Sequence, residues 1–133
     1  MTARTQPLRF TSLVSTMADP FCAALADYLA DRLHRAVEFV MAGANGSRET
    51  LLDTQAVDLV WLCGLLYLNK SAAGQPLTPA VALAMVGETP ADRPVYYGDV
   101  IVNAISPYQS FADLRRTRWA YNEEASFSGY QVV

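Results

Sequence analysis

Seven residues at positions 57–63, Val-Asp-Leu-Val-Trp-Leu-Cys, constrain the fold of this chain more than any other segment. A strand with one wet face alternates apolar and polar residues, whereas this run is apolar everywhere except Asp58. Continuous apolar runs of this length suit a strand covered on both faces, as in a parallel sheet flanked by helices. Parallel neighbours cannot be joined by tight hairpins and need long crossovers, usually helical. The rest of the sequence should therefore supply helices between strands.

It does so in regular order. Residues 8–14 (Leu-Arg-Phe-Thr-Ser-Leu-Val) read as an opening strand, followed by Ser, Thr, Asp and Pro in quick succession at 15–20. Asp19 before Pro20 predicts a helix start, with Asp19 as the capping acceptor and a proline whose missing N–H costs nothing in the first turn. That helix is expected to run to about Arg35, with Phe21, Leu25, Tyr28, Leu29 and Leu33 on its apolar face. A second strand is expected at 36–41, a loop at 43–47, and a short helix capped by Ser47 to about Thr54. After the 57–63 strand, Gly64 breaks the run and residues 65–72 read as a short helix. Further strands are expected at 80–86, at 95–105 with a possible bulge at Gly98, and at 118–122. Residues 111–114 form a helical turn between the last two. Alternating strands and helices predict an α/β sheet whose ligands bind outside the carboxyl ends of its strands. The polar loops at 15–19, 43–47 and 64–67 fall on that edge.

Composition narrows the function classes. Of 133 residues, 52% are apolar and 17% charged, which is globular and far from disorder. The net charge is −3 and the basic residues are scattered, so no nucleic-acid footprint is visible. The short run Arg115, Arg116, Arg118 reads as a solvated turn. Cys22 and Cys63 lie in apolar stretches, one on an expected helix and one on an expected strand, and read as free thiols. His34, the sole histidine, has no partner at ligand spacing, so neither a metal nor a cofactor is expected. Residues 1–7 lack the pattern of a secretory leader, and no apolar run approaches a membrane span.

The segment of chemical interest is Ser126-Phe127-Ser128-Gly129-Tyr130, which follows Trp-Ala-Tyr-Asn at 119–122 and the acidic pair Glu123-Glu124. Hydroxyl residues and a glycine at a strand-to-helix turn let backbone N–H groups and two serine hydroxyls converge on one oxyanion. A plain capped helix start has the same residue types, and both alternatives stand on the residues alone. Glycine-rich nucleotide loops are absent. Ser128-Gly129 does not lie in G-x-S-x-G, and no acid is placed to orient His34, so nucleophilic catalysis is not expected. Trp61, inside a continuous apolar strand, reads as core.

Taken in order, these segments resemble one family. Val57-Asp58-Leu59-Val60-Trp61-Leu62, then Tyr96-Tyr97-Gly98-Asp99-Val100-Ile101-Val102 with Ser106-Pro107, are similar to its strand motifs. Ser110-Phe111-Ala112-Asp113-Leu114-Arg115 and Arg118-Trp119-Ala120-Tyr121-Asn122 resemble the stretch leading to its S-x-S-G turn. The family is that of the phosphonate, phosphite and phosphate-type periplasmic binding proteins of ABC importers, and the resemblance covers about residues 8–130.

The resemblance implies an α/β fold of the type II periplasmic-binding-protein kind, mainly the first lobe (1–106) plus the crossover and start of the second (107–133). It implies a non-enzymatic solute-binding module for a small oxyanion, a periplasmic location and an ABC permease as partner. Ligand contacts are expected from Ser126, Phe127, Ser128 and Gly129, with Asn45 and Ser47 in the first-lobe loop. Phe127 stands in place of the usual threonine and removes a hydroxyl. No aromatic residue occupies the loop around Asn45 and Ser47, where the family often has one, and Arg116 stands where a glycine usually follows. Family members are longer, so a truncated copy, or a chain completed by a second copy in a homo-oligomer, is expected. The same fold serving as a sensor, or a fragment without ligand, is the alternative.

Overall fold

The computed structural model describes residues 6–42, 46–83, 98–121, 124 and 126–131. The chain divides into two compact units, Met1–Gln75 and Pro76–Val133, each described by itself.

The first unit is a three-stranded parallel sheet in the order β2-β1-β3, with β1 Leu8–Ser12, β2 Val37–Phe39 and β3 Leu59–Trp61. Phe10 pairs with Phe39 on one side and with Leu59 on the other. Helices α1 (Asp19–Leu33), α2 (Arg48–Asp53) and α3 (Gly64–Ala72) follow the three strands in turn. The alternation expected from the sequence is present here, and the apolar 57–63 segment supplies β3. Asp58, its one polar residue, accepts the Arg9 backbone N–H at 2.8 Å, while its own N–H donates to the Arg9 carbonyl at 2.8 Å.

The start of α1 departs from expectation. Asp19 is not a capping acceptor: the cap position of α1 is Ala18, which offers no side-chain bond, and the Ser15 hydroxyl instead accepts the Met17 N–H to cap the preceding 3₁₀ turn Thr16–Ala18. Asp19 is the first residue of the helix proper, and its carboxylate is engaged by an arginine described below. The buried face also differs. Cys22 and Ala26, spaced four apart, are buried against Phe10, with Leu25 packed beside them. Phe21, Tyr28 and Leu33 are more than half exposed. Small side chains let the helix lie close to the sheet, and the bulky ones are left at its margins, where Phe21 meets Trp61 edge-on at 5.6 Å. The helix ends when His34 adopts the left-handed conformation (φ 50°) and its N–H returns to the Ala30 carbonyl.

The short helix α2 begins as the sequence predicts, with the Ser47 hydroxyl accepting the Thr50 N–H at 3.1 Å. Lys70 of α3 reaches both Glu49 and Asp53 of α2, and Gln75 also donates to Asp53. Those two carboxylates hold the Lys70 ammonium pKa above the usual lysine value, Asp53 contributing most.

The second unit has less regular structure. The expected strands at 80–86, 95–105 and 118–122 are not strands in their described portions, 80–83, 98–105 and 118–121. At the end of the 95–105 segment the reason is local. The Asn103 side chain accepts the Ile105 N–H at 3.0 Å and its carbonyl accepts the Ser106 N–H at 2.8 Å, so the chain turns instead of extending. The expected helical turn is present as a 3₁₀ turn at Phe111–Leu114, with Leu114 buried. One Asp113 oxygen accepts the N–H groups of Gln109 and Ser110 and the Ser110 hydroxyl, at 2.8–3.0 Å. These bonds, the Gln109 N–H first, hold the Asp113 pKa below the ordinary aspartate value. Arg116 then takes φ 68°, and Trp119 folds back edge-on to Phe111 at 5.6 Å.

The conformation of Arg116 accounts for the glycine that the resemblance places there. A residue with a Cβ pays roughly 1 kcal/mol or more in the left-handed region, and glycine does not. Arg116→Gly should stabilise this unit by about 0.5–1 kcal/mol, because the side chain it removes is exposed. Arg116→Val should destabilise it, since β-branched residues tolerate positive φ worst. Thermal unfolding followed by Trp119 fluorescence in a Trp61→Phe background reads both changes.

Candidate functional site

Residues 126–131 form one wide turn. Phe127–Gln131 is a single π-helical turn closed by the Gln131 N–H donating to the Ser126 carbonyl at 3.2 Å. The Gly129 N–H donates to the Ser126 hydroxyl oxygen at 3.1 Å. Gln131 anchors the far end through its side-chain amide, which donates to the Glu124 carbonyl at 2.9 Å. Tyr130 lies against Tyr121 with ring centroids 4.7 Å apart. The turn is thus fixed on both flanks.

Four of the sequence-derived site residues are brought together here: Ser126, Phe127, Ser128 and Gly129. Their roles in the turn differ. Ser126 accepts the Gly129 N–H and keeps its own O–H to donate, so it shapes the turn. None of the hydrogen bonds among the described residues uses the Ser128 hydroxyl. Phe127 is about half exposed and contributes an apolar ring. The N–H groups that open a helical turn have no intrahelical acceptor, so donors are available beside these side chains.

Ser47 belongs to the first unit, where its hydroxyl caps α2 and also lies 3.0 Å from the Thr50 hydroxyl. Asn45 lies outside the described residues. The sheet's carboxyl edge holds an ion pair that sequence reasoning passed over. Arg48, which opens α2, grips Asp19, which opens α1, through both guanidinium nitrogens at 2.5 and 2.7 Å. It also donates to the Ser12 carbonyl at 3.3 Å and stacks over Phe39 at 5.6 Å. The Arg48 guanidinium draws the Asp19 pKa below the ordinary aspartate value, and Asp19 raises that of Arg48. The signal was present: opposite charges at the first positions of helices that follow two adjacent parallel strands must start from the same sheet edge. With its charge committed, Arg48 acts as a brace.

Two hollows of the second unit lie apart from this turn. One of about 260 Å³ is lined by Val100, Val102, Phe111 and Leu114 together with the polar Tyr108, Gln109 and Ser110, and no charged side chain faces it. Among the described residues no group of three or more His, Cys, Asp or Glu is gathered as a metal set. No helix among them is long and apolar enough to cross a membrane.

The hydrogen bond inside the turn makes a direct prediction. In Ser126→Ala the Gly129 N–H loses its acceptor, so its amide hydrogen exchange should accelerate while exchange at β1 stays unchanged. Equal protection of Gly129 in both proteins would show that the bond does not form in solution.

Comparison with known proteins adds the family. The model of the ABC-transporter phosphonate periplasmic substrate-binding proteins matches residues 19–133, all but the first eighteen positions. No solved structure matches the chain. The match includes the parallel-sheet unit from α1 onward and the whole of the Ser126–Gly129 turn, and proteins of this family bind their substrate without converting it. The chain belongs to the family of phosphonate-binding periplasmic proteins of ABC transporters.

Proposed function

We propose that the protein binds a small phosphonate or closely related phosphorus oxyanion and delivers it to an ABC permease for import. The observation that carries this is the Ser126–Gly129 turn, in which a hydroxyl and backbone donors stand together on a backbone held from both sides. Ser128 donates to a phosphonate oxygen, Ser126 holds the turn and presents its remaining O–H, and the opening N–H groups add donors without a mobile charge. Phe127 lowers the donor count and offers an apolar face. That combination favours a phosphonate with an organic substituent over inorganic phosphate, which has four oxygens to satisfy.

A second copy of the chain is part of the same proposal. Ile101 and Ile105 are 88% and 92% exposed, and self-association would remove such apolar surface from water. Multi-angle light scattering at micromolar concentration should show a mass above that of one chain, and a strict monomer overturns this part.

Calorimetric titration with methylphosphonate, a longer alkylphosphonate, phosphate and sulfate tests the ligand class. The alkylphosphonates should bind more tightly than phosphate or sulfate. Ser128→Ala should weaken binding about tenfold or more, the worth of one hydrogen bond to a charged group. Sulfate or phosphate binding as tightly as every phosphonate would refute the assigned specificity.

A further inference from the structure

Gly98 lies thirty positions before Ser128 in the sequence and directly against it in the fold. A Cβ at position 98 would stand 3.2 Å from the Ser128 Cβ, 3.4 Å from its carbonyl oxygen and 3.8 Å from its Cα. Carbon atoms in normal contact stay about 3.5–4.0 Å apart, so the approach to the Ser128 Cβ is too close by a few tenths of an ångström, while the carbonyl oxygen and Cα lie at contact distance behind it. All three atoms belong to Ser128, and two of them are backbone. A rotamer change at Ser128 moves none of them.

Nor is the turn free to retreat. Ser126 is tied to Gly129 and, through its carbonyl, to Gln131. Gln131 is tied in turn to Glu124, and Tyr130 is stacked on Tyr121. Ser128 therefore sits in the middle of a segment fastened on both sides, with Gly98 as its floor. In an otherwise strand-like apolar sequence, a glycine marks either a bulge or a place where another backbone comes close. Here the Ser128 backbone is what comes close.

We propose that Gly98 is a positioning residue for the Ser128 hydroxyl: the missing side chain at 98 lets the turn settle at the depth where Ser128 meets the anion. This rests on the assignment of the turn as the oxyanion site. Any side chain at 98 displaces Ser128 by a few tenths of an ångström, enough to lengthen its bond to a phosphonate oxygen without unfolding the unit.

Titration of methylphosphonate into the wild type, Gly98→Ala, Ser128→Ala and Ser128→Gly tests this, with amide exchange at Gly129 and the thermal midpoint followed in each. Gly98→Ala should bind about tenfold more weakly, the worth of one weakened bond to a charged group. Its Gly129 amide should exchange faster, while the thermal midpoint stays close to that of the wild type. In a Ser128→Gly background, which lacks the Cβ that position 98 would strike most closely, adding Gly98→Ala should have a smaller effect on Gly129 exchange. Wild-type affinity and Gly129 protection in Gly98→Ala, with binding lost in Ser128→Ala, would overturn the positioning role and leave the anion turn standing. A wild type that binds none of the phosphonates would overturn the turn assignment and this role with it. If Gly98→Ala fails to fold, the test moves to the Ser128→Gly background, where the 3.2 Å contact is gone and Gly98→Ala should fold; a double variant that still fails to fold would overturn the proposal.

Discussion

Phe10, Thr11 and Ser12 are all buried in the middle strand of the first unit, and the last two carry hydroxyls. A buried strand must satisfy every backbone N–H and C=O, and each buried hydroxyl besides. The surroundings of β1 meet that demand. β2 and β3 pair with it on either side, and the Thr11 hydroxyl donates to the Val40 carbonyl at 2.7 Å. The Ser12 hydroxyl accepts the Val14 N–H, and the Ser12 carbonyl accepts from Arg48. Arg48 then holds Asp19, so the starts of α1 and α2 are tied to the carboxyl end of the central strand. The apolar side of the strand takes Cys22 and Ala26 against Phe10, and Phe39 packs beside the same ring at 5.5 Å.

The second unit is organised around turns. Asp113 gathers three donors on one oxygen, Arg116 takes a left-handed conformation, and residues 126–131 close on themselves through Ser126 and Gln131. Each device fixes a few residues with local bonds, so the Ser126–Gly129 segment keeps a defined shape without a ladder. On the proposed assignment of this turn as the oxyanion site, donors already fixed in place do not have to be ordered when the ligand arrives.

Much of the first unit was legible in the sequence. The 57–63 run announced a strand of the parallel sheet, although Leu59–Trp61 ends the sheet order and is only half-buried rather than covered on both faces, while Ser47 announced its helix and Gly64 marked the break before α3. The inward face of α1 was not legible, because periodicity favours the largest apolar residues. The sheet instead selected Cys22 and Ala26, whose small size permits close approach. The Arg48–Asp19 pair was legible only in hindsight, since opposite charges twenty-nine positions apart mean nothing until the strands before them are known to be parallel neighbours. In the second unit, strand-like composition at 98–105 and 118–121 was a poor guide. A strand forms only when another strand bonds to it, and composition does not reveal whether one does.

By itself, the sequence determined the α/β alternation of the first unit, the family and the location of the S-x-S-G turn, because each is written in residue types and spacings within short segments. Tertiary structure alone decided how the turn is built. It aimed the Gly129 N–H at Ser126, stacked Tyr130 on Tyr121 and set Gly98 beneath Ser128. These outcomes depend on distances between residues far apart in the chain, and spacing along the chain does not encode them.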